Sequence, residues 1–423
     1  MASGKAGSGS NLNRVADAML AADPYDIKVA ISWWANFNFA CQGAQRWDDA
    51  MSKLPFYVHI GTNPSEMAHF ADIVLPAPHH MFELNSAYLK SKFNLHAWAS
   101  LHQQLVKPLW DTRQEETEFV WMLAEKLKEK GFDKLYAYLS TEFKDPETGK
   151  TPANGKELSE IATKIHTVSL WKPKETLKGD KIEGWEDFKK KGMYNSEPYS
   201  YKKKWGGKFG KTEEKDGKKE TTGTVTHKFE FYSETLKKAL QEHAEKHKMS
   251  IDDAVAAAKY TAKGELAFVP HYEPPLWSGD EKAYPFAFIG YKSRLNREGR
   301  AANCSWYQEF KKVDPGDEAW DDVIKINPVD GAKLGIKTGD IVKVTSVSGS
   351  ITVKVKLWEG VRPGTATKSY RQGHWAYGRT AAKDFHKRMP RGGNNNEIMP
   401  VEYERLSGSG IRHGYARVKI EKA

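Results

Sequence analysis

The chain has 423 residues, a net charge of +10 and two cysteines, Cys41 and Cys304, that lie far apart. Its length allows two or three domains with substantial cores, whereas its cysteines exclude a disulfide scaffold and a four-cysteine iron–sulfur site built from this chain. No apolar run reaches the ~18 residues that a membrane helix needs. The first ten residues contain neither an apolar core nor a twin arginine, so we expect a loop that has been cut open rather than a signal peptide.

The first predicted elements alternate between strand and helix. Residues 27–32, 56–60 and 71–76 are β-type apolar runs, and residues 44–53 have the pattern of a helix. This order and spacing predict a parallel sheet with right-handed crossovers. Ligands of such sheets bind beyond the carboxyl ends of the strands, and the first two strands here are followed by small and amide residues.

The central part combines helices with a lysine-rich stretch. Helices are predicted over residues 115–130, 234–247 and 251–260, and residues 226–232 alternate like a strand. Between residues 131 and 225 the lysines are interleaved with acidic residues, which predicts a solvated insertion. Two alternatives stay open for this stretch: a docking face for an acidic partner subunit, and nucleic-acid binding through interspersed aromatics, although no RNP, KH or zinc-knuckle motif accompanies them.

The sequence pattern of the C-terminal part is typical of a small β-domain. Prolines cluster near residues 270–285, and short strands then recur between turn signals. The predicted strands are 286–289, 323–326, 341–345, 351–355 and 415–420. Their spacing predicts a small closed β-barrel.

One segment of this barrel carries a specific motif. Residues 327–344 read NPVDGAKLGIKTGDIVKV, which closely resembles the NP-x-D-A-x-x-L-G-I-x-x-G-D-x-V-x-V signature of the molybdopterin-dinucleotide-binding domain. Upstream, residues 71–76, preceded by Thr62 and Glu66 and followed by Glu83, resemble the T-E-T-A-x-x-A-D-I-V-L-P-x-x-x-x-x-E segment of the same family. This family is the dimethyl-sulfoxide-reductase superfamily of molybdopterin oxidoreductases. The two signatures occur in the family's order.

The resemblance implies a fold and a cofactor. The fold would be an α/β lobe with a parallel sheet (residues 1–95), a helical connector with the lysine-rich insertion (96–275) and a C-terminal double-psi β-barrel that binds the dinucleotide (276–423). The cofactor would be two molybdopterin guanine dinucleotides around one molybdenum or tungsten. The metal ligand and any iron–sulfur cluster would lie in an N-terminal part absent here, so we expect a fragment or split-gene product that is inactive alone and supplies no catalytic residue.

The same resemblance implies cofactor contacts in the barrel domain. Residues 289–303 align with the family's I-T-x-R-x-x-x-H-x-H-S-x-T-x-N motif: Asn303 matches, Lys292 replaces the arginine and Asn296 replaces a histidine. A lysine still binds phosphate but lacks the bidentate fork. Ser293 is a further predicted contact.

A late loop and its neighbours also resemble ligand-binding segments of the family. Residues 370–378 follow a barrel strand, and residues 394–397 resemble an N-x-N pair that reaches the pterin or guanine; the alternative for the asparagines is an ordinary turn. The predicted contacts are Tyr370, Gln372, His374, Asn395, Asn396 and Arg412.

In the N-terminal lobe the contacts are predicted at strand ends. Asn36 and Asn38 stand where the family has a G-x-N-P variant, and Gly61, Thr62 and Asn63 follow the second strand, where they could meet a phosphate or ribose. A metal site is not predicted. The adjacent His79 and His80, near Glu83, cannot face one ion from a strand.

The implied function is an oxidoreductase subunit of anaerobic respiration that transfers oxygen or sulfur atoms or electrons, nearest to the arsenate, tetrathionate and polysulfide reductases. Implied partners are the N-terminal half of the subunit, an iron–sulfur electron-transfer subunit and a membrane anchor, in a periplasmic or membrane-associated complex, with no nucleic acid. The replaced arginine and histidine favour one alternative, a non-catalytic structural subunit without the cofactor.

Overall fold

The computed structural model describes residues 12–79, 83, 87–91, 96–110, 112, 115–171, 179–198, 210–215, 218–224, 226–403 and 415–423. The chain divides into two compact units. One comprises Met1–Leu75, Asp252–Ala262 and Tyr272–Ala423, and the other comprises Pro76–Ile251 and Lys263–His271. The predicted three-domain boundaries stay a prediction.

The first unit opens with a small α/β arrangement. Its elements are α1 (Leu12–Ala21), β1 (Val29–Trp33), α2 (Phe37–Ala40), α3 (Ala44–Ser52), β2 (Phe56–Gly61) and β3 (Ile73–Pro76). They form a three-stranded sheet in the order β1-β2-β3, and β1 and β2 are parallel, as predicted. Apolar side chains of α1 and α3, including Ala16 and Trp47, pack into one cluster.

Within the described residues, the second unit contains two further sheets and five α-helices. Its strands are β4 (Ala87–Ser91), β5 (Trp98–His102), β6 (Met193–Asn195), β7 (Gly210–Lys215) and β8 (Lys218–Gly223). Its helices are α4 (Val120–Glu129), which follows a π-helical turn at Glu115–Phe119, α5 (Lys134–Thr141), α6 (Gly155–Trp171), α7 (Trp185–Lys191) and α8 (Glu234–His247). The predicted helices at 115–130 and 234–247 are confirmed. Among the residues that the structure describes, no helix combines the length and apolar character needed to cross a membrane.

The described part of the lysine-rich stretch contains an apolar core. Trp171, Trp185, Phe188 and Tyr194 are buried in one apolar cluster. Lys164 is also buried, because its ammonium group pairs with two carboxylates of the neighbouring loop. The expectation of a solvated insertion is therefore wrong for this part, since aromatic residues spaced along helices supply a core that a count of charges does not reveal.

The strand predicted at residues 226–232 is also wrong. The Glu230 carboxylate accepts hydrogen bonds from the backbone N–H and the hydroxyl of Thr226 at 2.7 Å, and Thr224 donates to the Lys228 carbonyl. His227 has a φ of 57°. These local bonds close a turn, which competes with the extended conformation.

The C-terminal part of the first unit is a closed six-stranded barrel. It follows α9 (Ile251–Ala257) and consists of β9 (Phe286–Tyr291), β10 (Val323–Ile326), β11 (Ile341–Thr345), β12 (Ser350–Leu357), β13 (Thr365–Ser369) and β14 (Arg417–Lys422), with α10 (Ser305–Phe310) and α11 (Pro328–Leu334) between strands. The order around the barrel is β10-β12-β11-β14-β9-β13, with parallel pairing of β10 with β12 and of β13 with β9. The prediction of a closed barrel is confirmed.

The motif that singles out this barrel determines its local fold. The side chain of Asn327 caps α11 by accepting from the Val329 N–H at 2.9 Å, and Gly335 ends the helix with a φ of 65°. The Asp330 carboxylate accepts from the Gly364 N–H at 2.7 Å, which ties the helix to the turn before β13. These contacts explain the motif as a fold determinant rather than a binding site.

Candidate cofactor site

The candidate site begins at the carboxyl ends of β1 and β2. Asn36 follows β1, and its amide nitrogen donates to Glu66 at 2.7 Å while its amide oxygen accepts from the Met67 N–H at 3.2 Å. The segment around residue 66 follows β2. Asn36 therefore joins the two strand-end loops, as expected for a binding edge of a parallel sheet.

Glu66 connects these loops to the loop that follows β13. Its buried carboxylate accepts from the backbone N–H groups of Trp375 at 3.0 Å and Ala376 at 3.2 Å and contacts His374 Nδ1 at 3.1 Å. Burial acts to raise the pKa of Glu66, but the charge of His374 and hydrogen bonds from His374 and Asn36 outweigh it and bring the pKa to about 2. Glu66 is thus ionised although it is almost fully buried.

The ring of His374 is held between two aromatic side chains. Phe39 stacks on it with ring centroids 3.6 Å apart and an interplanar angle of 17°, and Tyr377 lies at 4.7 Å. Nδ1 faces Glu66, whereas Nε2 is buried and has no hydrogen-bond partner within the described parts of the chain.

The asparagine loop, residues 394–397, contacts the backbone of Phe39, the residue that stacks on His374. The amide nitrogens of Asn394 and Asn396 both donate to the Phe39 carbonyl, at 2.9 and 2.8 Å. Asn395 donates to the Lys368 carbonyl at 3.4 Å, and its amide oxygen is buried without a partner among the residues described.

Residues of the predicted 289–303 motif lie beside the loop after β13. Asn296 donates to the Arg371 carbonyl at 3.2 Å, and its amide oxygen is buried and unpartnered in the described structure. Asn303 accepts from the Thr380 N–H at 3.1 Å and reaches Asn63 Oδ1 at 3.4 Å. The α/β part and the barrel thus both contribute side chains to one region of the first unit.

The polar groups of this region suit a ligand with several hydrogen-bonding edges. Asn296 Oδ1, Asn395 Oδ1 and His374 Nε2 are buried without partners in the structure as described. Such atoms are costly to bury unless a ligand or water satisfies them. Two acceptor oxygens and one imidazole nitrogen fit the N–H groups and ring nitrogens of a pterin or a guanine.

Comparisons with known proteins agree with this geometry. Residues 304–415 match the family described as the molydopterin dinucleotide binding domain. The chain is 53% identical over its whole length to the arsenate respiratory reductase molybdopterin-containing subunit ArrA of Chrysiogenes arsenatis and 49% identical to that of Shewanella sp. (strain ANA-3). The chain belongs to the molybdopterin oxidoreductase superfamily. It spans about half the length of these curated relatives, 49% and 48%.

A solved structure supports the fold of this molybdopterin oxidoreductase chain. Acetylene hydratase from Pelobacter acetylenicus superposes with a TM-score of 0.59 over 98% of this chain and 47% of its own, at 15% sequence identity. At this identity the likeness concerns the fold alone.

Other residues predicted from the superfamily resemblance make different contacts. Asn38 donates to Asp48 at 2.6 Å, Ser293 donates to Asp314 at 2.6 Å, and Gln372 donates to the Tyr307 hydroxyl at 2.7 Å. Lys292 and Thr62 are exposed, Tyr370 and Gly61 are partly buried, and Arg412 lies outside the described residues.

The sequence analysis predicted no metal site at His79, His80 and Glu83. His80 lies outside the described residues. The Glu83 carboxylate accepts from the backbone N–H groups of His79 at 2.8 Å and Leu109 at 2.9 Å. These bonds give Glu83 a structural role in its loop.

Sequence reasoning missed two sets of residues in this superfamily member. One is Glu66, which was noted in a motif but given no contact, together with the rings of Phe39 and Tyr377. The other is the ion pair of Lys368 and Asp322, whose side chains are 0% exposed and 2.8 Å apart. The resemblance to the family segment pointed to Glu66 itself, but its contacts join segments that lie far apart in the chain, and no local pattern signals them.

The Lys368–Asp322 pair supports the asparagine loop from inside the barrel. Asp322 also accepts from the Gly393 N–H at 3.2 Å. Burial raises the pKa of Asp322, while the charges of Lys368 and Lys311 act in the opposite direction. The pair thus fixes the backbone that leads into Asn394–Asn396.

Proposed function

We propose that this chain is the pterin-binding portion of the molybdopterin-containing subunit of a respiratory oxidoreductase of the arsenate reductase type. The observation that carries the proposal is the group of three buried, unpartnered atoms, Asn296 Oδ1, Asn395 Oδ1 and His374 Nε2, in the described loops. The relatives at 53% and 49% identity favour this function over a non-catalytic structural subunit.

The residues of the site would bind and orient the cofactor. Asn296 and Asn395 would accept hydrogen bonds from pterin or guanine N–H groups, and the exposed Lys292 would meet a phosphate. When bound, the metal–pterin cofactor supplies two-electron and oxygen-atom-transfer chemistry. Glu66 and the Lys368–Asp322 pair would hold the loops in place and keep water out of the region behind them.

The finer features belong to the same proposal. The closed barrel would have double-psi topology, and the cofactor would be two molybdopterin guanine dinucleotides with molybdenum or tungsten. This chain would provide binding residues and no catalytic residue or metal ligand.

Partners and location are also proposed. The remainder of the subunit would complete the active site, an iron–sulfur subunit would deliver electrons, and a membrane anchor would place the complex in or facing the periplasm. The support is that the curated relatives are named as subunits of respiratory reductases.

The test is co-expression with the part of the Chrysiogenes arsenatis relative that this chain does not cover, in a host that makes molybdopterin guanine dinucleotide. The purified assembly should release fluorescent oxidised pterin and guanine nucleotide, contain molybdenum or tungsten, and oxidise a reduced viologen dye when arsenate is added. An N395A/N296A double variant should assemble equally but retain less pterin. An assembled wild-type complex without pterin would contradict the proposal.

A further inference from the structure

Within the described residues of the first unit, two histidines are buried, and they differ in the hydrogen bonding of their ring nitrogens. His59 is 1% exposed, and both of its ring nitrogens have partners: Nδ1 lies 3.0 Å from the Ser32 and Tyr57 hydroxyls, and Nε2 lies 3.3 Å from the Ser65 hydroxyl. His374 is 3% exposed, and its Nε2 has no partner in the described chain. The protein thus provides hydrogen-bond partners for both ring nitrogens of His59 but for only one ring nitrogen of His374.

The orientation of the His374 ring is overdetermined. Phe39 and Tyr377 hold its faces, and Glu66 lies 3.1 Å from Nδ1. Rotating the ring by half a turn would remove Nδ1 from the carboxylate and place a C–H group against it. The ring therefore has one favourable orientation, with Nε2 on the side away from Glu66.

Glu66 is itself fixed by groups other than the histidine. Asn36 donates to Oε2, and the Trp375 and Ala376 N–H groups donate to Oε1. The carboxylate is thus an acceptor whose position does not depend on His374. An ionised acceptor at Nδ1 requires a proton on Nδ1, which leaves Nε2 as the atom whose hydrogen bonding is open.

We propose that Glu66 is a positioning residue that acts through His374: it fixes a proton on Nδ1 and so presents Nε2 as a hydrogen-bonding atom to the pterin cofactor. This role rests on the proposed function, because the pterin is the ligand that Nε2 would meet. It goes beyond a list of contacts, since it assigns a task to a carboxylate that does not touch the cofactor. Metal-ligating histidines are oriented in the same way, because their other ring nitrogen donates to a carboxylate or a carbonyl.

The first experiment examines the histidine without the cofactor. In the chain labelled with ¹⁵N-histidine, the Nδ1 of His374 should give a protonated-type resonance at neutral pH. In Glu66→Gln that preference should be lost, whereas the resonances of His59 should stay unchanged. A bare Nδ1 in the wild-type chain, or an unchanged His374 spectrum in Glu66→Gln, would overturn the proposal.

The second experiment uses two replacements that separate the two ring nitrogens. His374→Asn keeps an N–H near the position of Nδ1 and removes Nε2, whereas His374→Gln places an amide near the position of Nε2. We measure pterin retained per chain in the co-expressed assembly, with the exposed His243→Gln as control. His374→Asn and Glu66→Gln should retain about tenfold less pterin, the scale on which such supporting partners affect bound groups, and His374→Gln should retain more than His374→Asn.

A purely structural role would give the opposite order, because Asn preserves the link to Glu66 and Gln does not. Wild-type retention in His374→Asn would overturn this proposal alone. Absence of pterin from the wild-type assembly would overturn the proposed function, and this inference with it.

Discussion

At the scale of residues, Glu66 and His59 show two ways of burying an ionisable group near the same strand end. Glu66 stays charged because four donors surround it, from Asn36, His374, Trp375 and Ala376. His59 stays neutral because its neighbours are hydroxyls, and burial lowers its pKa to about 4. Both groups have depressed pKa values in the folded chain. Each therefore makes the free energy of unfolding larger at neutral pH than in acid.

The first prediction concerns the pH dependence of stability. Burial lowers the pKa of His59 from its ordinary value of 6.5 to about 4 in the folded chain, so its contribution is present above pH 6.5 and is lost as the pH falls toward 4. Between pH 7 and pH 5 this loss amounts to about 2 kcal/mol. Urea unfolding at both pH values should show that His59→Gln loses less stability on acidification than the wild-type chain.

The comparison of the two proteins isolates this effect. Glu66, whose pKa falls from 4.5 to about 2, loses its contribution only below pH 4.5, and Glu397, whose pKa burial raises to about 6, titrates in both proteins. An equal loss of stability in both proteins between pH 7 and pH 5 would mean that His59 is not buried in the neutral form.

Whether a site residue could be predicted from the sequence depends on how far apart in the chain its contacts lie. His374 and Asn395 could be proposed because they lie in segments that resemble a known ligand loop. The role of Glu66 could not, because its partner is 308 residues away in the chain, and local patterns carry no record of such a contact. The same holds for the stack of Phe39 on His374.

At the scale of elements, β13 shows how a polar strand can lie in a barrel wall. Its sequence TATKS has little apolar character, yet Ala366, Lys368 and Ser369 are buried. The interior position of Lys368 depends on its ion pair with Asp322. The bounds of this strand could not be predicted for that reason, whereas the alternating strands β11 and β12 and the capped helix α11 could.

The second prediction follows from this pair. Lys368→Met should destabilise the chain by about 3–5 kcal/mol, because it removes the ammonium group that pairs with the buried Asp322 carboxylate. Lys368→Met combined with Asp322→Leu should recover most of the loss. Urea unfolding measures both, and Lys343→Met on an exposed position of β11 should stay within about 0.5 kcal/mol of wild type. A double variant as unstable as the single one would show that the pair itself is essential to the barrel.

The third prediction concerns the contact of two loops. Gly373 has a φ of 92°, and a Cβ there would lie less than 3.0 Å from Gly393 and Asn394. Gly373→Ala should therefore push the asparagine loop away and reduce pterin retention in the co-expressed assembly. Gly339 is the matched control, since its φ is 96° and a Cβ there meets nothing within 4 Å.

Gly339→Ala carries the same backbone strain, ~1–2 kcal/mol, without the clash. Equal pterin retention in the two variants would mean that the distance between these loops does not matter for the cofactor.

At the scale of the whole molecule, one face of the small sheet is apolar throughout. The cross-strand pairs Val29–Phe56, Ile31–Val58 and Trp33–Ile60 share this face, because side chains alternate along each strand. Val29, Trp33 and Phe56 are 56%, 36% and 39% exposed, whereas Val58 and Ile60 are 6% and 2% exposed, so the open part of this face lies around Val29, Trp33 and Phe56. Parallel sheets are usually covered on both faces, and relatives of twice this length contain further chain that could provide the cover.

The fourth prediction is that the remainder of the subunit packs on this face. Phe56→Glu should abolish co-purification with the complementary part of the Chrysiogenes arsenatis relative, because it would bury an unpaired carboxylate in an apolar interface. The isolated variant should keep its thermal stability, since the Phe56 side chain is partly exposed in the chain alone. Phe132→Glu, at a residue that is 69% exposed in the other unit, is the control for a general loss of solubility. Co-purification of Phe56→Glu at the wild-type level would show that the remainder of the subunit binds elsewhere, and the apolar face of β1 and β2 would then need a different cover.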